Sequence, residues 1–265
     1  MSILLSKKEE KMKHLIIVVF LLLVCSCFAF SAMPPELVLY MSFDKNTIKG
    51  ETVMDLTAYG NNGTIKGDPK IEKGYSGEAL DFTNDTVEIP TSKSLAQTAS
   101  AITLEAWVFA RTQSTNDIIS KWDNAQNGII HFEVRAGGMM RFCMRNKNDA
   151  TIVDFTSAKS FATNKWVHIA ETFDGSTAKI YFDGEEVATA NGAGEMRQND
   201  NCKFWIGSMY ATDRWFDGLI DEVRIWSKAL NPDEIKKAMD GSLAKASVDL
   251  AGKITYTWGK IKENK

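Results

Sequence analysis

Residues 166–189 read WVHIAETFDGSTAKIYFDGEEVAT, and this stretch decides the fold. Two Asp-Gly pairs, Asp174-Gly175 and Asp183-Gly184, divide it into the runs Trp166–Phe173, Ala178–Phe182 and Glu186–Thr189. Asp-Gly between alternating runs is a strong turn signal, because two-residue hairpin turns need positive φ and Gly adopts it without a steric clash. The three runs are therefore expected to be antiparallel neighbours. Outward from them the same rhythm recurs in Leu37–Phe43, Ala79–Phe82, Thr86–Ile89, Ile102–Ala110, Ile118–Lys121, Ile129–Val134, Met140–Asn146, Phe204–Gly207 and Leu219–Trp226, with a turn-rich stretch from Asp55 to Gly67. In the run from Ile102, Leu104, Ala106 and Val108 share its face, while Glu105, Trp107 and Phe109 take the other. One helix is expected, with Asn231 as cap, Pro232 at its first position, Glu234 at its third and Gly241 at its end. Many short strands, one terminal helix and no strand–helix alternation imply an all-β fold, a two-sheet antiparallel sandwich with a single short C-terminal helix.

The last strand poses a problem. Phe216–Trp226 reads FDGLIDEVRIW, and strict alternation puts Asp221 on one face with Leu219, Val223 and Ile225. A carboxylate in an apolar row is costly unless it is hydrogen-bonded, paired or bound to a metal.

Length and composition bound the rest. The 265 residues, 44% apolar and 25% charged, suit one large domain. Lys7, Lys8, Lys11 and Lys13 precede the uncharged run Leu15–Val24 and the small residues Ala29 and Ser31, the pattern of a secretory signal peptide over residues 1–31. Met12 is an alternative start. The apolar run is short for a membrane span, so no transmembrane anchor is expected after cleavage. Leu23-Val24-Cys25-Ser26 is a poor lipoprotein box, which leaves lipid anchoring at Cys27 as the lesser alternative to secretion. Without residues 1–31 the chain keeps 27 basic and 32 acidic groups, a net charge of −5. That balance offers nothing to nucleic acid or an anionic membrane. Cys143 and Cys202 remain, and two thiols in an exported chain suggest one disulfide; two separate buried thiols are the alternative. The domain is expected over 32–240, with 241–265 a Lys-rich tail containing the strand-like Ile254–Trp258.

In order and spacing the chain resembles the laminin-G-like jelly-roll domains of the concanavalin A-like lectin/glucanase superfamily. The matching segments are Leu37–Asp44, Asp55 with Gly60–Thr64, Gly77–Phe82, Ile102–Val108, Trp166–Ala170 with Tyr181–Gly184, and Phe216–Trp226. Ala58 departs from the pattern, standing where the family often has Gly. The resemblance implies two stacked antiparallel sheets with a convex back, a concave front and rim loops available to ligands.

Glucanases share this architecture, so catalysis must be weighed. Retaining glycosidases need two carboxylates about 5–5.5 Å apart. The superfamily's Glu-x-Asp-x-x-Glu strand run is missing here; Glu133-Val134-Arg135 and Glu171-Thr172-Phe173-Asp174 are the nearest acidic segments, and Glu171 and Asp174 have opposite parity. His131 and His168 are the histidines left beyond the signal. His168 reads as a hydrogen-bonded structural residue, and two cysteines cannot complete a zinc site.

Calcium suits the chain better, since it gathers oxygens from strand ends and turns. By motif position the resemblance implies Asp44, Asn62 and Asp221 as ligands of a structural Ca²⁺ where the first and last strands pair; turn formation by Asp44 and Asn62 and backbone hydrogen bonds to Asp221 are the alternative. Candidate ligand-binding residues are Trp122, Asp123 and Asn124 after one strand, and Tyr210, Arg214 and Trp215 before the last, all in loop segments where binding groups concentrate. Covering a sandwich edge is their ordinary alternative. The expectation is a secreted, non-catalytic module whose partner is a glycan or an extracellular protein, with a glycoside hydrolase or an adhesive structural module as the other possibilities.

Overall fold

Short runs with alternating apolar side chains leave one face of every strand in need of cover, and the chain stacks two antiparallel sheets to supply it. The computed structural model describes residues 33–122, 129–198 and 203–243. The strands begin with β1 (Leu37–Met41), β2 (Ile48–Lys49), β3 (Thr52–Val53), β4 (Gly63–Lys66), β5 (Lys70–Lys73) and β6 (Glu78–Phe82). Next come β7 (Thr86–Ile89), β8 (Ile102–Ala110), β9 (Asn116–Trp122), β10 (Ile130–Arg135), β11 (Met139–Arg145) and β12 (Thr151–Ser160). The last five are β13 (Val167–Phe173), β14 (Thr177–Phe182), β15 (Glu185–Asn191), β16 (Lys203–Ile206) and β17 (Gly218–Trp226). The first sheet runs β15-β14-β13-β8-β17-β6-β5 with β1 also on β17; the second runs β12-β11-β10-β9-β16-β7-β4-β3-β2.

The opening hairpin forms as expected, and Asp183 and Gly184 both take positive φ, 49° and 78°. First and last strands pair, also as expected. β12 and β5 were not legible. They lie at or near sheet edges, where mixed or fully exposed sequence (Lys70–Lys73 is exposed throughout) replaces apolar alternation and guards against edge pairing. The core lies between the sheets, with Phe82, Phe132, Phe142, Phe173, Phe204 and Phe216 all buried in it.

Asp221 does not interrupt the core row. β17 carries an irregularity between Asp221 and Arg224, with Glu222 in a left-handed conformation (φ 54°). Ile220 faces the core before this bulge, and Val223 and Ile225 face it after; Leu219 and Asp221 point outward, opposite Phe109 and Trp107. The extra residue resets the alternation, as bulges do. It also marks a division of labour on one edge of β17: Gly218–Ile220 bond β6, and Val223–Trp226 bond β1.

Two α-helices among the described residues accompany the sheets. The one-turn α1 (Lys93–Ala96), capped by the Ser92 hydroxyl, was not foreseen. The second, α2 (Pro232–Met239), has the expected Asn231/Glu234 capping box and buries Ile235 and Ala238. Its C-terminal carbonyls lie over the outer face of the first sheet, where Ala238 accepts from Arg224 Nη1 (3.4 Å) and Met239 from Trp107 Nε1 (3.3 Å). The signal region, Asp123, Asn124, Cys202 and the tail from Ala244, including Ile254–Trp258, lie outside the described residues. No helix among the described residues is long and apolar enough to cross a membrane.

Candidate functional site

Alternation in three adjoining strands builds the most chemically loaded surface. Ile130, Phe132 and Val134 of β10, and Met140, Phe142 and Met144 of β11, enter the core, so His131, Glu133, Arg141 and Cys143 face outward. Register aligns them with neighbours into one row across six strands: Asp154, Cys143, His131, Ser120, Trp205 and Glu88. A second row holds Asp117, Glu133 and Arg141.

The acids form a buried floor. Asp117 Oδ1 lies 3.2 Å from His131 Nδ1. Glu133 accepts from Arg135 at Oε1 (2.7 Å) and, at Oε2, from Arg141 (3.3 Å) and Arg214. Arg141 also grips both oxygens of Asp154 at 2.7 Å. Burial pushes the Asp117 carboxyl above the usual carboxylate range against the pull of His131. Asp117, His131 and Glu133 offer ligand atoms within 4.8 Å of one another, close enough to hold a metal ion. Yet Nδ1 of His131 is engaged by Asp117, and arginine already supplies positive charge to Glu133, so the donors are largely committed.

Three of the expected binding residues meet here. Arg214 reaches Glu133, Trp122 stands edge-on to His131 with ring centroids 5.5 Å apart, and Tyr210 stands edge-on to Trp205 at 5.1 Å. The loop that carries Tyr210 and Arg214 is tied down by Phe216 N–H to the Gly207 carbonyl (2.9 Å), Asp117 N–H to the Arg214 carbonyl (2.9 Å) and Ser120 Oγ to the Ser208 carbonyl (2.9 Å), while Trp122 ends β9. Within it Tyr210, Ala211 and Arg214 all have positive φ, between 50° and 55°. Such non-glycine strain persists only where surroundings over-determine it. Trp215 is half-buried and joins this group by no ring contact or hydrogen bond among the described residues.

A second constellation sits at the bulge. Asp221 Oδ2 accepts from Ser76 N–H (3.0 Å) and Asp44 Oδ1 from Glu78 N–H (2.9 Å), so both carboxylates hold the turn between β5 and β6. The glycines of that turn permit the approach: a Cβ on Gly77 would lie 2.2 Å from Asp44 Oδ1, and one on Gly74 2.7 Å from Asp221 Oδ2. Asp221 is fully buried, and among the described residues its Oδ1 has no hydrogen-bond partner. Burial, with Glu222 and Asp44 adding negative charge, pushes its carboxyl up to about 8. An orphaned carboxylate oxygen beside a second carboxylate fits a divalent cation. Asn62 is placed elsewhere: exposed, it accepts from Asp55 N–H (2.9 Å) within a loop organised by Asp55.

A family model described as "Concanavalin A-like lectin/glucanases superfamily" matches residues 81–236. The chain belongs to this superfamily. Among curated proteins, the adhesion G-protein coupled receptor V1 of Danio rerio is 23% identical over 180 residues, covering 64% of this chain and 3% of the receptor. Pappalysin-1 of Mus musculus is 28% identical over 102 residues, covering 37% of this chain and 6% of that protein. The chain therefore spans only a small part of these relatives. Among solved structures, domain 4 of AbnA, an extracellular arabinanase of Geobacillus stearothermophilus in complex with arabinotriose, superposes with TM-score 0.56 at 20% identity over 77% of this chain and 98% of that one. The binding domain of Paraclostridial Mosquitocidal Protein 1 does so with TM-score 0.60 at 15% identity, covering 76% and 51%. These likenesses establish the jelly roll.

On the first sheet the superfamily jelly roll carries a different set of polar groups. Glu105 bonds His168 Nε2 (3.2 Å) and Trp226 Nε1 (2.9 Å), while Glu222 takes Arg224 and the Tyr40 hydroxyl (3.0 Å). His168 is thus the hydrogen-bonded structural residue expected. Burial works against the Glu105 carboxylate, but the His168 bond and the Arg224 charge outweigh it and hold its pKa below the ordinary value. Cys143 is a free buried thiol among the described residues, pushed up to about 11 by burial in the outer row, and its expected partner Cys202 lies outside them. The residues missed from sequence were Asp117, His131, Arg135, Arg141 and Trp205. The legible signal was the strict polar alternation of His131, Glu133, Arg135 and Arg141, Cys143, Arg145 either side of Gly137-Gly138.

Proposed function

We propose that the domain is a non-catalytic binding module, exported from the cell, that takes a glycan on the outer face of the second sheet. The observation that carries this is the meeting of Trp122, Tyr210 and Arg214 beside a cross-strand row of polar groups: aromatic rings for a sugar face, fixed polar atoms for its hydroxyls. Asp123, Asn124 and Trp215 are proposed as its rim. The arabinotriose bound by the arabinanase domain shows that another protein of this fold takes a sugar. The test is an oligosaccharide array probed with the full chain and with Trp122→Ala. Binding lost in the variant supports the proposal; an empty array beside a reproducible extracellular protein partner would replace the glycan with a protein.

A structural Ca²⁺ at Asp44 and Asp221, completed by turn carbonyls and water, goes with this function. The orphaned Asp221 Oδ1 supports it. The cation would neutralise two crowded carboxylates and lock the turn to β17; Asn62 has no part in that set.

One observation favours hydrolysis as a second reading. Asp117 and Glu133 stand opposite in register on an outer sheet face. Against it, both are fully buried and Glu133 is committed to three arginines. Polysaccharide turnover abolished by Asp117→Asn would establish it.

A further inference from the structure

We infer that the proposed glycan site selects sugars bearing an anionic group, a ring carboxylate or a sulfate ester, and that Arg135 and Arg214 receive it. The inference rests on the binding role proposed above and deepens it. It starts from a separation of charge by depth. The side chains of Asp117 and Glu133 are 0% exposed, whereas those of Arg135 and Arg214 are 43% and 27% exposed and that of Lys203 is 40%.

Hydrogen-bond capacity divides the same way. Both Glu133 oxygens accept from arginine, both Asp154 oxygens from Arg141, and the Asp117 oxygens face His131. A guanidinium has five donors. Arg135 and Arg214 each direct a single Nη1 to Glu133, which leaves Nε and Nη2 of both for a ligand. Trp205 adds an independent sign. It is 5% exposed, lies on the outer face opposite Ser120, and its Nε1–H has no acceptor among the described residues. A buried indole donor without a partner is costly in a folded protein. Lys203, bonded to Glu88 (2.7 Å), stands 5.9 Å from the same ring.

The exposed reach of Arg135, Arg214 and Lys203 therefore gives the face charged donors above its buried acids. Such donors form stronger bonds to an ionised acceptor than to a neutral hydroxyl. Carboxylate and sulfate oxygens only accept, and planar guanidinium matches either in a two-point bond. The rings of Trp122 and Tyr210 remain for the sugar body.

The test uses the full chain in calorimetric titrations with three oligosaccharides of equal length: a neutral galactan, an oligogalacturonate and a sulfated galactan. The expected result is at least about tenfold tighter binding of an anionic form than of the neutral one, weakening as salt rises. The two anionic arms show whether carboxylate or sulfate is the source. Arg135→Gln should remove that preference while leaving neutral affinity and the unfolding midpoint in place. Equal affinity for all three sugars overturns the inference and leaves the glycan-binding role standing. Binding of none overturns both, and so does binding of an acidic peptide in their stead.

Discussion

The two outer faces of the sandwich are built by the same alternation and put to opposite use. On the first sheet, Glu105, His168, Glu222, Arg224 and Trp226 satisfy one another beneath α2, and Arg224 is 1% exposed. On the second, Asp117, His131 and Glu133 form a comparable floor, but the arginines above it reach solvent and no helix among the described residues covers them. A buried network closed on itself acts as scaffold. One left open on its donor side is available to a ligand.

Removing an arginine from each face should separate the two most sharply. Arg224→Met leaves Glu105 and Glu222 buried without their cation, and urea unfolding should show a loss of about 3–5 kcal/mol. Arg214→Ala leaves Glu133 with Arg135 and Arg141, so a loss below about 1 kcal/mol is expected. Equal losses would break the comparison.

Calcium should act on the first face alone. At about a hundredfold excess over its dissociation constant, Ca²⁺ should stabilise wild type by about 2.7 kcal/mol, seen as a raised melting temperature that chelator reverses. Asp221→Asn should lose the response and Arg214→Ala keep it. A wild-type melting temperature indifferent to chelator removes the calcium site.

A third measurement probes the ground between the faces. Glu171 of β13 points into the core with neither oxygen bonded among the described residues, and burial, reinforced by Glu133 and Asp117, raises its pKa well above the ordinary value. For an acid with a raised folded pKa, the protonated form stabilises the fold. That contribution is complete below the unfolded value of about 4.3 and is lost as pH rises through the folded one. Wild type should therefore lose stability with rising pH relative to Glu171→Gln, measured as paired thermal melts; parallel curves would show that Glu171 does not titrate against the core.

The smallest effect belongs to the cover itself. Asn231→Ala removes the acceptor for Asp233 and Glu234 N–H and should destabilise by about 1 kcal/mol, without altering glycan binding. A change in binding would mean that α2 reaches the second face.

Much of this was legible in sequence because it is local. Asp183-Gly184 specified its turn, Asn231-Pro232-Asp233-Glu234 its helix start, and Ile102–Ala110 its strand, since turn, cap and alternation each depend on a few adjacent residues. The candidate site was half legible. Tyr210 and Arg214 stood out as loop residues with large side chains, and so did Trp122, which the structure places at the end of β9. Asp117 and Glu133 did not, because sixteen positions separate residues that register places side by side.

By itself, then, the sequence determined the strand pattern, the hairpins, the capped helix and membership of a jelly-roll family, all from interactions of short range. Only the tertiary structure decided that Glu222 bulges and turns Asp221 out of the core, that Asn62 serves Asp55 instead of joining Asp44, and that one polar face is covered while the other is open. Register and cover arise from pairing between distant segments. A period of two says which side chains share a face, and it is silent on what that face will meet.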